Sequence, residues 1–324
     1  MNLCHSSKVI SILLLPSLLL SLTTGCSSIR RSAVNMVGDA MTSGSSVFET
    51  DEDMGLVGDA LPFGLKFMEM LLGESPNHPG LLLTTCKGFV LYSYGYASHD
   101  AKLAEEEDLD RAKALRLRAR KLYLRALRHG FRGLEHFYPG FEDQLFLDPQ
   151  KAVDRIRLKN KKWDLPFLYY CSAALGSAIS VSRDDAAMLA RLPEVEAMID
   201  RGLKLNETWE DGSFHEIKIK LAAAKVGDSD RNLIRQHYER ALKLSNGRHA
   251  GLFLDYAEAI SIPNQNKAEF LSLVGRALAI DPDKHTENRL LNLIAQRRAQ
   301  YLLDRVDELF LEGTMGSELR GGRP

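Results

Sequence analysis

The sequence of 324 residues predicts an all-α fold, and three observations support that prediction. Apolar residues recur every three or four positions, for example at Leu115, Ala119, Leu122 and Ala126. The sequence contains no sustained period-two alternation and no Asn-Gly turn between β-branched runs, which are the patterns that would indicate strands. Prolines such as Pro149 stand between the periodic stretches, where helices begin or end.

A short pattern near the ends of four predicted helices recurs along the chain. Arginine, a small residue and leucine begin at positions 125, 201, 240 and 276, so the intervals are 76, 39 and 36 residues, and 76 is twice 38. The small residue lets the next helix approach closely, and the leucine after it fills the groove. The small residues are Ala126, Gly202, Ala241 and Ala277, and the large residues three positions earlier are Tyr123, Ile199, Tyr238 and Val274. We therefore predict stacked helix pairs that form degenerate tetratricopeptide-like repeats, an α-solenoid.

The first residues predict export and a lipid anchor. Lys8 precedes an apolar run from Val9 to Leu22, which is too short to cross a membrane, and small residues follow it up to Cys26. This pattern predicts a lipoprotein signal peptide over residues 1–25, after whose removal Cys26 carries the lipid. A plain secretory signal with a chance cysteine is the alternative. Because Ser27 is not the aspartate that commonly retains lipoproteins at the inner membrane, we expect the outer membrane.

Composition divides the rest of the chain into three parts. Residues 26–46 are small and polar and predict a lipid-anchored tether, with at most a short helix around Ala33 to Met41. Residues 47–312 form the predicted tetratricopeptide-like helical domain, and residues 313–324 predict a disordered tail. The formal net charge is −1, and no long block of like charge is present, which argues against a nucleic-acid partner.

Motifs that carry chemistry are missing, so the sequence predicts neither an enzyme nor a cofactor or metal site. There is no Gly-x-Ser-x-Gly nucleophile turn and no phosphate-binding Gly-rich loop, and His215 begins like a zinc-protease helix without its second histidine. Gly130 and Gly133 predict a turn, with the neighbouring His129 and His136 at the surface.

Two cysteines and two arginines are interpreted as structural residues. Cys86 and Cys171 lie in apolar helical patterns, and nothing in the sequence brings them together. We expect two buried thiols rather than a disulfide. Arg120 and Arg125 are expected to bridge repeats through carboxylates such as Glu135, in preference to binding a substrate anion.

Aromatic residues are the candidates for a ligand-binding wall. Tyr92 and Tyr96 share one face of a helix because they are four positions apart, whereas Tyr94 points elsewhere. The full set of candidates is Tyr92, Tyr96, Trp163, Tyr169, Tyr170 and His215. For each of them, packing between helices is the competing interpretation.

A series of short landmarks resembles one known family. The landmarks include the runs 48–53, 56–63, 119–126 and 212–216, and they follow one another in order from about residue 48 to residue 280. In sequence letters they read FETDED, LVGDALPF, ARKLYLRA and GSFHE. This order resembles the TRAP transporter T-component (TatT) lipoproteins. One departure is Tyr170, which stands where that family usually has tryptophan.

The resemblance implies a periplasmic lipoprotein that serves as an accessory subunit of a TRAP-type solute uptake system. It implies binding to a TRAP-type periplasmic solute-binding protein, a homo-oligomer such as a trimer, and a cleft for a small hydrophobic or organic-acid ligand. We expect the protein in the periplasm, held by its lipid. The alternative is a general repeat scaffold for protein assembly in the cell envelope, with no ligand.

Overall fold

The computed structural model describes residues 30–42, 46–224 and 230–311. Over these ranges the chain is helical and contains no strand, which confirms the predicted all-α class. None of the helices described there is long and apolar enough to cross a membrane. The predicted signal peptide, Cys26 and the predicted tail all lie outside the described residues.

Seventeen segments of α-helix follow one another over the described ranges, and two π-helical turns interrupt them. The first half contains α1 (30–42), α2 (Ser46–Glu49), α3 (Met54–Glu74), α4 (Pro79–Tyr92), α5 (Ser98–Glu107), α6 (Leu109–Phe137), α7 (Phe141–Leu147), α8 (Pro149–Asp154) and α9 (Asp164–Ser180). The second half contains α10 (Ala186–Leu189), α11 (Leu192–Asn206), α12 (Ser213–Ala224), α13 (Arg231–Ser245), α14 (Ala250–Tyr256), α15 (Lys267–Leu278), α16 (Arg289–Asp304) and α17 (Val306–Leu309). The π turns are Ser93–Ala97, between α4 and α5, and Ala257–Ser261, after α14.

Aspartate side chains begin many of these helices. At the start of five helices, an aspartate side chain accepts a hydrogen bond from a backbone N–H in the first turn. This bond satisfies a donor that has no partner within the helix. These N-caps are Asp53, Asp108, Asp148, Asp185 and Asp230. The sequence run 51–53 is therefore a helix start.

Helix α1 occupies most of the segment predicted to be a tether, and it packs against α3 and α4. Gly38 lies against the side chain of Leu81, and Arg30 forms an ion pair with Glu74 at the end of α3. The hydroxyl of Ser75 donates to the side-chain oxygen of Asn35. The helix thus attaches the segment that follows the predicted anchor to α3 and α4.

Helix α6 is the longest described element, with 29 residues. It packs against α4, α5 and α9, and it runs without interruption through Gly130 and Gly133. The predicted turn at these glycines is wrong, because both serve close helix contact: a Cβ at 133 would overlap the ring of Phe167. His129 is consequently buried, and its ring is hydrogen-bonded to Glu69 at 3.1 Å.

The recurring pattern occupies equivalent buried positions in its four helices. All four small residues and all four large residues three positions earlier are buried, as predicted. The leucines differ, since Leu127 is buried, Leu203 and Leu242 are half-buried, and Leu278 is 36% exposed. The leucine therefore does not fill a groove in every unit. Whether the helix pairs stack as tetratricopeptide-like repeats stays a prediction.

The buried apolar residues form two clusters, and helices α12 and α16 contribute to both. The first cluster runs from Val57 to Leu221 and includes Leu290 and Ile294 of α16. The second runs from Ile219 to Phe310 and includes Ala295, Ala299 and Leu302 of the same helix. Helix α16 therefore brings the C-terminal end of the chain back to its first helices.

Cys86 and Cys171 are free and fully buried, as predicted. Contrary to the expectation that nothing brings them together, both sulfur atoms lie beside Gly130, where a Cβ would contact them. Burial raises the pKa of the Cys171 thiol well above its ordinary value, and the neighbouring Cys86 raises it further. The glycine in α6 makes room for this pair between α4 and α9.

Candidate functional site

The six predicted ligand residues fall into four places, and the first is the pair Tyr92 and Tyr96. Their rings stack with centroids 5.6 Å apart, as their spacing predicts. The Tyr96 hydroxyl donates to the backbone oxygen of Met54 at 2.7 Å, and the Tyr92 hydroxyl accepts from Arg118 at 3.2 Å. Burial raises the pKa of Tyr96 to about 12. This pair joins the start of α3 to the end of α4.

Trp163 stands alone among the six, immediately before α9. Its ring lies 6.4 Å from the rings of both Phe137 and Phe167, and the ammonium of Lys162 lies 4.6 Å from its centroid. It packs on the end of α6.

Tyr169 and Tyr170 form the third place, with rings 5.0 Å apart in an edge arrangement. Tyr169 also contacts Trp209 at 5.0 Å and Phe214 at 5.5 Å. Both tyrosines are half-buried, so this group presents a partly accessible aromatic wall where α9 meets the start of α12. Trp209 was not among the predicted residues, because it lies in an irregular turn that periodicity does not detect.

His215 lies in a fourth place and faces α13. Its Nδ1 is 2.7 Å from Nδ1 of His237, and its Nε2 is 3.6 Å from a carboxylate oxygen of Glu207. Burial lowers the pKa of His215, and burial together with the charge of His215 lowers the pKa of His237 to about 4. Near neutral pH the two rings are uncharged, and one donates to the other.

A ring of charged and aromatic side chains, absent from the predicted set, lies where α12, α14 and α16 meet the first π turn. Arg298 donates to Asp255 at 2.9 Å and to the Tyr94 hydroxyl at 3.4 Å. The Lys220 ammonium lies 3.2 Å from the other oxygen of Asp255 and 5.1 Å from the centroid of the Tyr94 ring. Arg298 also makes a two-point ion pair with Glu258. We call these five residues the Lys220 ring.

Exposure differs sharply within the Lys220 ring. The side chain of Asp255 is 1% exposed and that of Arg298 14%, whereas that of Lys220 is 47% exposed. Burial is the largest single influence and would lower the pKa of Lys220, but Asp255, Tyr94 and Glu216 together raise that pKa above its ordinary value. Burial would raise the pKa of Glu258, but Arg298 and Lys102 lower it to about 2. Lys220, Arg298 and Glu258 are therefore charged near neutral pH.

Both π turns contribute to the Lys220 ring. Tyr94 lies in Ser93–Ala97, and Glu258 lies in Ala257–Ser261. A π turn inserts one extra residue into a helix and re-aims the side chains there, and such turns are frequent at functional sites. A regular period of 3.6 residues cannot reveal them, which is why the sequence did not single out this group.

An open depression of about 570 Å³ lies elsewhere on the surface, at α8. Its lining is polar and charged, formed by Asp148, Gln150, Lys151, Asp154, Arg155 and Arg157. None of the aromatic candidates borders it. Over the described ranges, no group of three or more acidic, histidine or cysteine side chains is arranged to hold a metal ion.

Comparison with known proteins decides the family. The family described as "TRAP transporter T-component" matches residues 50–310, which is most of the chain. The chain belongs to the TRAP transporter T-component family. A protein of Treponema pallidum (strain Nichols), described as uncharacterized, is 28% identical to this T-component over 268 residues. That alignment covers 82% of this chain and 83% of the relative.

The matched range bears on the candidate groups of this T-component. It contains the Lys220 ring, the aromatic wall at Tyr169 and the His215 pair, and it begins after α1 and Cys26. The family supports a TRAP transporter T-component role for this chain.

Proposed function

We propose that this T-component is a lipid-anchored accessory subunit of a TRAP-type uptake system, and that it binds a TRAP-type periplasmic solute-binding protein. The family match over residues 50–310 is the observation that carries the proposal. The signal pattern before Cys26 supports export to the periplasm and attachment to the outer membrane through lipid. Helix α1, packed on α3 and α4, then connects this anchor to the helical domain.

The ligand part of the proposal rests on the half-buried wall of Tyr169 and Tyr170. Aromatic side chains combine a large apolar surface with a polar tip, which suits a site that is only partly closed to water. Trp209 and Phe214 extend the wall. A small hydrophobic or organic-acid ligand fits this chemistry. Tyr92, Tyr96, Trp163 and His215 remain ligand candidates of lower priority, because their described contacts are with other protein groups.

Self-association is proposed through the outer face of α3. Apolar side chains follow one stripe at helical spacing, namely Leu56, Ala60, Phe63, Phe67 and Met70, and Phe63 is 76% exposed. The exposed Asp59 and Lys66 flank the stripe seven positions apart and carry opposite charges. We place the α3 helix of a second copy antiparallel against this face, with the two Phe63 side chains opposite each other. Asp59 of each copy then lies beside Lys66 of the other, so the face is self-complementary.

Mass measurement tests this self-association. Size-exclusion chromatography with light scattering should show an oligomer for the wild type and a monomer for Phe63→Glu, while Lys113→Glu, which changes an exposed residue of α6, should leave the mass unchanged. The same measurement separates a pair, which this face implies, from the trimer that the family resemblance implies. A monomeric wild type would contradict self-association.

The partner proposal is tested by purification of the full-length lipidated protein from envelopes in mild detergent, followed by mass spectrometry of bound proteins. Enrichment of a TRAP-type solute-binding protein supports the accessory role. Enrichment of other envelope proteins without it would favour the general repeat scaffold, whose support is the neighbour-to-neighbour packing of helix pairs.

The ligand proposal is tested on the same material. Tyr170→Ala should reduce the small molecules retained after purification, with helical content by circular dichroism unchanged. Tyr301→Ala, in α16, is the matched control. Equal retention by both variants would remove Tyr170 from the site.

A further inference from the structure

We infer that the loop between α8 and α9, together with the end of α7, binds the surface of an anionic phospholipid membrane. The loop comprises residues 155–163, and we call it the basic loop. The inference goes beyond the proposed accessory role and rests on one part of it, the lipid anchor at Cys26. The contact holds the helical domain against the bilayer that carries the anchor.

The basic loop carries five cations and no carboxylate, namely Arg155, Arg157, Lys159, Lys161 and Lys162. Arg157 and the three lysines are exposed. The described hydrogen bonds of the two arginines go to backbone oxygens, and Lys162 lies over the ring of Trp163. Over the described ranges, none of the five forms an ion pair with a carboxylate.

The carboxylates on either side of the basic loop are engaged by other groups. Asp154 pairs with Arg201 of α11 at 3.2 Å. Asp164 is 1% exposed and accepts a hydrogen bond from the Tyr138 hydroxyl at 2.8 Å. The positive charge of the basic loop therefore faces water without a neutralising contact from its neighbours.

Two large apolar side chains are exposed beside this charge. Phe146 is 73% exposed and Leu147 is 77% exposed, and they are the last two residues of α7. The next residue, Asp148, lines the open depression at α8 together with Arg155 and Arg157. The end of α7 and the basic loop thus border the same hollow. Adjacent exposed apolar side chains mark interaction sites, and beside cations they suit insertion among lipid headgroups.

A chain of contacts places the basic loop at the end of the domain where α1 begins. Arg30, the first residue of α1, pairs with Glu74 at the end of α3. Arg132, near the end of α6, donates at 2.6 Å to a backbone oxygen in the turn that follows α3. Phe137, the last residue of α6, stacks on Trp163 of the basic loop with ring centroids 6.4 Å apart.

The anchor brings a membrane to this end of the domain. Cys26 precedes Arg30 by four positions, and four residues span at most about 14 Å when fully extended. Clusters of lysine and arginine this close to a bilayer are attracted by anionic headgroups. Lysines supply flexible point charges rather than a fixed geometry, which suits mobile headgroups better than a shaped protein surface.

A fluorescent label at position 147 tests the inference. Leu147→Cys is labelled with an environment-sensitive dye, and the fully buried Cys86 and Cys171 do not compete for it. The full-length lipidated protein is reconstituted into vesicles of phosphatidylcholine, with or without phosphatidylglycerol. We expect a blue shift of the dye emission in the anionic vesicles alone, because there the dye enters the headgroup region. High salt should reverse the shift, since it screens the attraction.

Charge variants show whether the basic loop causes the shift. The shift should be lost when glutamine replaces three cations of the loop together, Lys159, Lys161 and Lys162. The matched control removes three exposed cations of α6 and α13, Arg111, Lys121 and Arg235, and should keep the shift. A dye at Leu109→Cys, at the opposite end of α6, should emit alike in both kinds of vesicle.

The inference is overturned if the dye at position 147 emits alike in both kinds of vesicle, or if the loop variant keeps the shift. It is also overturned if the wild type shows no shift but the loop variant loses capture of the TRAP-type solute-binding protein, since the loop is then a protein interface. Circular dichroism and the melting temperature show that the loop variant is folded.

Flotation distinguishes this failure from a failure of the anchor. Lipid on Cys26 should carry the wild type upward with vesicles of phosphatidylcholine alone, which have no net charge. If the wild type floats with them but the dye does not respond to anionic lipid, the inference alone is wrong. If the wild type floats only with the anionic vesicles, the anchor is wrong and the basic loop stands.

Discussion

Arg125 on α6 holds both carboxylate oxygens of Glu69 on α3. Lys66 and His129 bind the same carboxylate, so three donors converge on one half-buried side chain. Burial would raise the pKa of Glu69, but the hydrogen bonds from Arg125, Lys66 and His129 outweigh it and lower the pKa to about 2. The group therefore stabilises the folded state only while it is ionised.

The first prediction concerns this dependence on pH. Because the folded pKa lies below the unfolded value, the contribution is present above about pH 4.5 and is lost as pH falls toward 2. Glu69→Gln should lower the free energy of unfolding by up to about 3 kcal/mol at pH 7. Urea unfolding at pH 7, 4.5 and 3 measures the difference. It should shrink as pH falls, and a difference independent of pH would contradict the assignment.

The second prediction tests close helix contact at Gly133. A side chain there would overlap the Phe167 ring, so Gly133→Ala should lower the free energy of unfolding by about 1–3 kcal/mol. Gly275 is the matched control, because it lies inside α15 with no atom within 4 Å of an added Cβ. Gly275→Ala should raise stability by about 0.5–1 kcal/mol. Chemical denaturation compares them, and shifts of the same sign would count against this packing.

The third prediction concerns the recurring small residues. Ala277 is fully buried between α15 and its neighbours, so Ala277→Phe should overpack the contact and cost about 1–3 kcal/mol. Lys243→Phe, at an exposed position of α13, should change the melting temperature far less. Equal and negligible shifts would remove the tetratricopeptide-like interpretation.

The fourth prediction concerns the lipid anchor. Cys26→Ser removes the thiol that would be acylated, so the variant should be released from membranes or stay as an uncleaved precursor. Labelled fatty acid followed by membrane fractionation measures this, with Cys86→Ser as the control that keeps its label. A wild type that takes up no fatty acid would leave only a plain secretory signal.

The all-α class was predictable because period-three and period-four patterns report buried faces directly. The same patterns placed the buried small residues at Ala126, Ala241 and Ala277 correctly. They could not give the partners of a side chain. Arg125 bridges to Glu69, whereas the expected carboxylate of Glu135 accepts from the backbone N–H groups of Gly140 and Glu142.

The Lys220 ring shows the corresponding limit for sites. Tyr94, Lys220, Asp255 and Arg298 are separated by up to 204 positions, and none belongs to a recognisable motif. The two π turns, and the packing of α16 against the first helices of the chain, bring these residues together. Arg120 binds the carboxylate of Asp185 at 2.6 Å, a partner 65 positions away, and not the expected Glu135. Pairs of this kind join residues that are distant along the chain, and local sequence patterns do not show which distant residues will pack together.

The packing of α16 against the first helices also bears on how the chain folds. Leu290 and Ile294 belong to an apolar cluster whose earliest buried member is Val57, so that cluster joins distant parts of the chain. Arg289 adds a contact to the backbone oxygen of Thr50, 239 positions away. The contacts of α16 with the first helices can therefore form only after nearly the whole chain has been synthesised, and contacts between such distant residues slow folding.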